Sequence, residues 1–282
     1  MVLFISRTPA FSPNNVEKDA RILALTARCC EESGHEVSIV DEDTFAARQW
    51  NGPAPEYVFS MGRKLPTLIR LEQMGAPCVN ETRAVRNTAL SRELTLMLLE
   101  SNGIPVPEWW AYEPSEDEMF QCDSKLRKLL PGWIKVMRPD GVKACDVEYV
   151  ETPLEADTAV IKRVAEGVTD LVCTRHMDGD LLKVYAVTDS DVLTFFQYFS
   201  PQKEHYTKFG NERCNSPYMG YKPDVEALRT LALSVSRALA LRVFGFDVIL
   251  GADGVMCVID VNDWPSFSRF QEEAARAIAA LL

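Results

Sequence analysis

The stretch from Val243 to Pro265 constrains this chain most: Val-Phe-Gly-Phe-Asp247-Val-Ile-Leu, then Gly-Ala-Asp-Gly, then Val-Met-Cys-Val-Ile-Asp260-Val-Asn262-Asp-Trp-Pro. Two apolar runs joined by an Ala-Asp-Gly turn predict a β-hairpin. Residues i and i+2 of a strand share a face, so Asp260 and Asn262 point the same way, and the turn brings Asp247 alongside them. Acidic residues also decorate the solvated faces of hairpins. Here the flanking residues are strongly apolar, and carboxylates held against a core call for a compensating cation. Three hard oxygen donors on one surface suit Mg²⁺, with Mn²⁺ as the alternative, because such an ion takes few protein ligands and completes its shell with water and phosphates.

The whole chain narrows the classes further. Its 282 residues allow two modest domains or one large one. No apolar run approaches a membrane span, and the N-terminus is charged too early for a signal peptide, so a cytoplasmic protein without membrane attachment is expected. The eight cysteines are scattered among apolar neighbours without a Cys-x-x-Cys pair, as expected of small buried hydrophobes in a reducing compartment. A net charge of −11 without a Lys/Arg block argues against a nucleic-acid partner. A small-molecule or peptide acceptor is the expected partner, and an oligomer is compatible with the composition.

Periodicity predicts a strand at 2–6, a helix at 15–32 and a strand at 36–40, a strand–helix–strand unit of the parallel-sheet kind. Strands at 57–60 and 77–80 flank a helix at 64–74, and this first unit ends near Asn80. A helix at 89–101 is stopped by Asn102-Gly103 and the prolines beyond. Strands then fall at 109–112, 133–137, 147–150, 170–175, 181–188 and 192–199, with helices at 116–130 and 154–166. A long helix at 224–240, the hairpin and a final helix at 269–282 close the chain, whereas 200–222 is polar and irregular. The fold expected is an α/β parallel-sheet domain over 1–80, then an α+β domain over 81–282.

Lys135 lies in the otherwise apolar strand Trp133-Ile-Lys-Val-Met137. Buried there it needs an anion such as a phosphate, unless its face of the strand is solvated. The following Arg138-Pro-Asp-Gly141-Val-Lys143 is a turn whose amides could cover phosphates, or an ordinary hairpin turn. Leu171-Val-Cys173-Thr174-Arg175-His176-Met-Asp178-Gly-Asp180-Leu-Leu-Lys183 breaks a strand with Asp-Gly-Asp and resumes it with a lysine. Its backbone can meet a purine edge, Asp178 or Asp180 a ribose, and Lys183 the phosphates. His176 alone reads equally as a satisfied imidazole, and Asp-Gly as a common turn. Clustered cations for a polyanionic substrate would come from Lys18 with Arg21, Arg63 with Lys64, Arg175 with His176, and Lys203, His205, Lys208 and Arg213. Ser266, Ser268 and Arg269 follow the hairpin directly and are placed to meet an acceptor, which makes Arg269 and Lys183 the candidate catalytic residues; Ser268 equally suits a helix cap.

In this order the pieces resemble the ATP-grasp superfamily over nearly the full chain. Met61-Gly-Arg-Lys-Leu-Pro, Glu72-Gln-Met-Gly-Ala-Pro-Cys-Val-Asn80 and Ile104-Pro-Val-Pro107 look most like the RimK-type carboxylate–amine ligases. The resemblance implies an ATP-grasp domain whose two subdomains clasp ATP. Asp247, Asp260 and Asn262 then hold Mg²⁺, Lys135 the phosphates, and the backbone of Cys173, Thr174, Arg175 and His176 the adenine. Ser91-Arg92 stands where these ligases carry Asp-Lys, making Arg92 the first phosphate-binding cation. Asp260 replaces their usual Glu, Leu182-Lys183-Val184 their Asp-Ile-Arg strand, and no Arg-x-Asn with paired glycines is found in 200–222. Lys183-Val-Tyr185 and Asp260-x-Asn262 look more like the inositol trisphosphate kinases of the same superfamily. The implied activity is ADP-forming carboxylate–amine ligation, with a hydroxyl kinase as the alternative.

Overall fold

A computed structural model describes residues 1–47, 52–112, 124–138, 140–190, 192–199 and 219–282. Strands β1 (Val2–Ser6), β2 (Val37–Asp41), β3 (Tyr57–Ser60) and β4 (Cys78–Val79) pair in parallel in the order β2-β1-β3-β4. Helices α1 (Val16–Glu32), α2 (Glu42–Ala47) and α3 (Leu65–Met74) make the crossovers. The continuous apolar run of β1 reflects burial on both faces, as parallel sheets require.

The second sheet is antiparallel. It contains β5 (Trp109–Tyr112), β6 (Gly132–Met137), β7 (Val147–Val150) and β8 (Asp170–Arg175) in the order β5-β8-β6-β7. Its back is covered by α6 (Ser124–Lys128) and α7 (Pro153–Ala165), the latter started by a Thr152/Glu155 capping box. A third antiparallel sheet holds β9 (Asp180–Asp189), β10 (Val192–Phe199), β11 (Val243–Leu250) and β12 (Met256–Asp263) in the order β10-β9-β11-β12. Against it lies α8 (Val225–Leu239), capped by Asp224, whose carboxylate accepts from the N–H groups of Glu226 and Ala227. The expected hairpin is β11–β12, and the expected sheet organisation is present.

Helices α4 (Thr82–Ala89) and α5 (Arg92–Ser101) link the parallel sheet to the rest, and α9 (Gln271–Ala279) returns to pack on α1. The helix expected over 89–101 is α5, which starts three residues later, and α4 before it is an element that the sequence pattern did not reveal. Ser91 is extended and its Oγ accepts from the Leu94 N–H, which starts α5 afresh. Helix α2 is a further element that the sequence pattern did not reveal, and most of the helix expected over 116–130 lies outside the described residues. Ser268 does not cap α9, which starts after Phe270; its hydroxyl meets Ser266 Oγ at 2.8 Å.

The first sheet is fused to the third. One apolar cluster runs from Val2, Phe4 and Ile22 through Phe59 to Val243, Trp264, Phe267 and Ile278. Asn80 zips the two together: its Oδ1 accepts from the Arg242 and Val243 N–H groups, and its Nδ2 donates to the Val243 carbonyl. No helix among the described residues is long and apolar enough to cross a membrane.

Candidate functional site: a charged row beside a cationic chamber

The antiparallel registers of the third sheet align one row of side chains. Tyr198 lies opposite Lys183, Lys183 opposite Asp247, and Asp247 opposite Asp260. Asn262 follows two residues on, on the same face. The three expected metal ligands are therefore brought together. Each carboxylate has a cation: Lys183 Nζ donates to Asp247 at 2.7 Å, and Arg92 Nη1 to Asp260 at 2.5 Å. Asn262 Nδ2 donates to the other Asp260 oxygen at 3.2 Å. Burial acts to lower the pKa of Lys183, but Asp247 outweighs it and holds the ammonium above its ordinary value. At the far end Arg269 lies over the Tyr198 ring, 4.3 Å from its centroid, and Tyr198 meets Tyr185 hydroxyl to hydroxyl at 3.2 Å.

A β-bulge between Asp247 and Val248 sets two residues of β12 against one of β11 and leaves Ile259 as the extra residue. Its carbonyl accepts from Lys135 Nζ at 2.7 Å, which ties the second sheet to the third across a crevice of about 20 Å³. Arg92, Lys135, Val172, Ile259 and Asp260 line that crevice.

The segment expected to meet a purine divides by face. Residues Cys173 and Thr174 lie in β8, an interior strand paired with β5 on one side and β6 on the other. The N–H groups of Arg175 and His176 donate to the Glu108 and Pro131 carbonyls. These backbone donors are taken up by the fold. Cys173 points into the core behind the sheet, where burial pushes its thiol up to about 12. Arg175 turns outward to Glu108 and the Lys128 carbonyl. His176 Nδ1 accepts from Trp133 Nε1 at 3.2 Å, beside Tyr149. Thr174 is different: it shares the crevice face with Val172, is only 1% exposed, and its Oγ1 has no partner among the described residues. Asp180, expected near a ribose, is fully buried and its two oxygens accept from the Met219 and Tyr221 N–H groups, so it anchors the chain after the undescribed segment. The candidate cations Lys203, His205, Lys208 and Arg213 lie outside the described residues.

Beyond Arg92 and Asn262 the site opens into a chamber of about 500 Å³ between the first sheet's loops and the second and third sheets. Its cations are Arg7, Lys18, Arg63, Arg92 and Arg138. The pairings expected from sequence separate here: Lys18 and Arg63 face the chamber, whereas Arg21 pairs with Glu272 and Lys64 with Asp43. Arg7 and Arg138 are members that sequence reasoning missed as cations of the site. Arg7 follows the end of a parallel strand, where ligand loops cluster, and that position was the available signal. Burial and then the neighbouring charge of Arg63 pull the Arg7 guanidinium below its ordinary value. Glu42 fixes both arginine-bearing loops, accepting from the N–H groups of Thr8, Arg63 and Lys64. The glycine turn after β6 borders the chamber and docks on the loop after β1: Val142 N–H donates to the Ala10 carbonyl at 2.9 Å. At Gly141 (φ +146°) a Cβ would lie 2.8 Å from that oxygen, so only glycine fits without displacement.

No protein-family model and no curated protein matches the sequence. Solved structures do. A D-alanine–D-alanine ligase from Coxiella burnetii superposes with a TM-score of 0.71 at 12% identity, over 99% of this chain and 93% of that one. A RimK-domain ATP-grasp protein from Sphaerobacter thermophilus gives 0.68 at 18%, over 100% and 99%. D-alanyl-alanine synthetase A from Vibrio cholerae gives 0.68 at 14%, over 95% and 90%. The chain has the ATP-grasp fold of these proteins, from end to end.

Proposed function

We propose that this protein is an ATP-dependent carboxylate–amine ligase that phosphorylates an acceptor carboxylate and passes the acyl group to an amine, releasing ADP and phosphate. The observation that carries the reading is the row Asp247, Asp260 and Asn262, facing Lys135 across the crevice and ending at a chamber wide enough for a second substrate. That the superposable structures are named as ligases, a synthetase and a RimK-domain protein supports ligation over transfer to a hydroxyl.

The donor set fits Mg²⁺: two carboxylates, and a carboxamide whose oxygen faces the ion once the amide is turned over. Such an ion, when bound, supplies charge neutralisation for the transferred phosphoryl group. Lys135, Arg92 and Lys183 are the cations available to phosphate oxygens, the last two once Asp260 and Asp247 are otherwise neutralised. Thr174 Oγ1 supplies an unused hydrogen-bonding group on the crevice face for the nucleotide. Arg92 and Asn262, at the chamber mouth, orient the acceptor carboxylate. Its oxygen takes the terminal phosphoryl group as ADP leaves; the amine then attacks the acyl carbon, loses a proton and expels phosphate.

Incubation with ATP, pools of carboxylic acids and hydroxylamine tests this directly. ADP with a hydroxamate is the expected outcome, because hydroxylamine intercepts the acyl phosphate. A phosphorylated product without hydroxamate would replace the ligase with a hydroxyl kinase. Titration calorimetry of Asp260→Ala with Mg²⁺ and ATP is expected to show at least about tenfold weaker binding that no longer responds to the metal. Unchanged affinity and metal dependence would remove the row from the nucleotide site.

A further inference from the structure

We infer that the chamber selects an acceptor carrying one further anionic group, a carboxylate or a phosphate, held at the end formed by Lys18, Arg63 and Arg138. This rests on the ligase reading and extends it to the class of acceptor. The reacting carboxylate belongs at the Arg92 and Asn262 end, because that end joins the Asp247–Asp260 row. The rest of the lining offers no second such row among the described residues. It offers cations, each brought from a different part of the chain: Lys18 from the first turn of α1, Arg63 from the loop after β3, and Arg138 from the turn after β6.

Their hydrogen bonds show which donors remain. Arg7 spends four of its five guanidinium N–H groups on the Met61, Asp263 and Trp264 carbonyls and on Asp19, so it contributes mainly charge. Arg63 is held through Nη2 by Asp263, and Arg138 through Nε and Nη2 by Asp146 and Glu166. Each keeps Nη1 without a hydrogen-bond partner among the described residues. Lys18 is exposed at the chamber wall and, among the described residues, has no carboxylate partner. The first-turn N–H groups of α1 add orphan donors beside it, since Asn15 makes no side-chain cap.

Charge balance sets how much anion this wall accepts. Once Asp260 is assigned to a metal ion, the lining cations Arg7, Lys18, Arg63, Arg92 and Arg138 are answered by Asp19, Asp263, Asp146 and Glu166. The surplus is small. The one positive charge left over answers the reacting carboxylate, so a single further anionic group rests on the unspent donors of Arg63, Arg138 and Lys18, and a ligand bearing a run of phosphates would leave buried negative charge uncompensated.

Calorimetry on the full chain without nucleotide, at constant ionic strength, tests the inference with butyrate, glutarate, 3-phosphonopropionate and tripolyphosphate as probes. Glutarate or 3-phosphonopropionate is expected to bind at least about tenfold tighter than butyrate, and whichever is tighter identifies the second anion. Lys18→Met, a surface change that should leave the melting temperature in place, is expected to weaken the dianion about fivefold or more and leave butyrate unchanged. Arg63→Lys, which keeps the charge but loses the fork, should weaken it as well. Equal affinity of butyrate and both dianions overturns the inference, as does a dianion preference that survives both substitutions. Tripolyphosphate binding tightest overturns it too. The hydroxamate experiment fails or succeeds separately: dianion selectivity without hydroxamate would sink the ligase and leave the subsite standing.

Discussion

Lys183 stands between two roles, as partner of Asp247 and as a cation beside the metal row. Because its folded pKa is raised, the pair's stability is fully present below the unfolded lysine value, near pH 10.5, and is lost as pH rises through the folded value. Lys183→Met leaves Asp247 beside Asp260 without its ammonium, and in metal-free buffer urea unfolding should show a loss of about 3 kcal/mol. Millimolar Mg²⁺ should recover part of that loss, and recover more in the variant than in the wild type, where the ion competes with the ammonium. A loss that Mg²⁺ leaves untouched would separate Lys183 from the metal row. The thiols act in the same alkaline direction: burial pushes Cys78 and Cys173 up to about 12, and Cys30 and Cys257 up to about 11. An unfolded thiol ionises near pH 9, so the melting temperature should begin to fall there; a flat profile from pH 8 to 10.5 would contradict the burial of these thiols. At this scale the convergence of Asp247, Asp260 and Asn262 was legible because i and i+2 share a face whatever surrounds them. The pairing of Cys173 and Thr174 on both sides was not legible, because a strand's sequence shows its alternation but not whether both its edges are already paired.

Helix α5 exists to present Arg92, and it does so against its own dipole. A cation at the first helical position faces the positive end of the helix, an unfavourable placement of a few tenths of a kcal/mol or more. Asp260 offsets it from one side, and Asp170 Oδ1 accepts the Arg92 N–H at 3.2 Å from the other. Ser91 completes the arrangement by taking the Leu94 N–H. Ser91→Ala should therefore cost about 1 kcal/mol in chemical unfolding and weaken nucleotide binding several-fold, because the first turn that aims Arg92 frays. Ser91→Asp, which keeps a capping oxygen, should restore the stability; an alanine variant with wild-type stability would mean that the cap is idle. Helix α4 is hidden in sequence because Thr82–Ala89 has only Ala84, Val85 and Ala89 as apolar residues. The Ile259 bulge was hidden for a different reason. A period-2 pattern shows which residues alternate, but an inserted residue shows only against a partner strand whose register is known.

On the proposed function, the arrangement of the three sheets has to open for a nucleotide. The order of elements along the chain made the ATP-grasp architecture legible, since each sheet is built from nearby segments. The chamber was not legible, because Arg7, Lys18 and Arg63 reach it from the first sheet while Arg138 and Asn262 reach it from the other two. No local pattern encodes such a meeting. The same arrangement makes a kinetic prediction. The crevice beside Lys135 holds about 20 Å³, whereas pockets for ligands of nucleoside size run to roughly 300–1,000 Å³. Entry of the base therefore needs the second and third sheets to separate, which breaks the bond from Lys135 Nζ to the Ile259 carbonyl. Opening then precedes binding, and in stopped-flow mixing with a fluorescent ATP analogue the observed rate should level off at high nucleotide concentration, at the rate of opening. Lys135→Met removes the tie between the sheets and also, on the proposed function, a cation for the phosphates. It should raise the plateau rate yet weaken the final affinity at least about tenfold, a combination that simple damage to a preformed pocket does not produce. A rate that rises linearly with concentration to the diffusion range, with no plateau in either protein, would mean that the open form already dominates in solution.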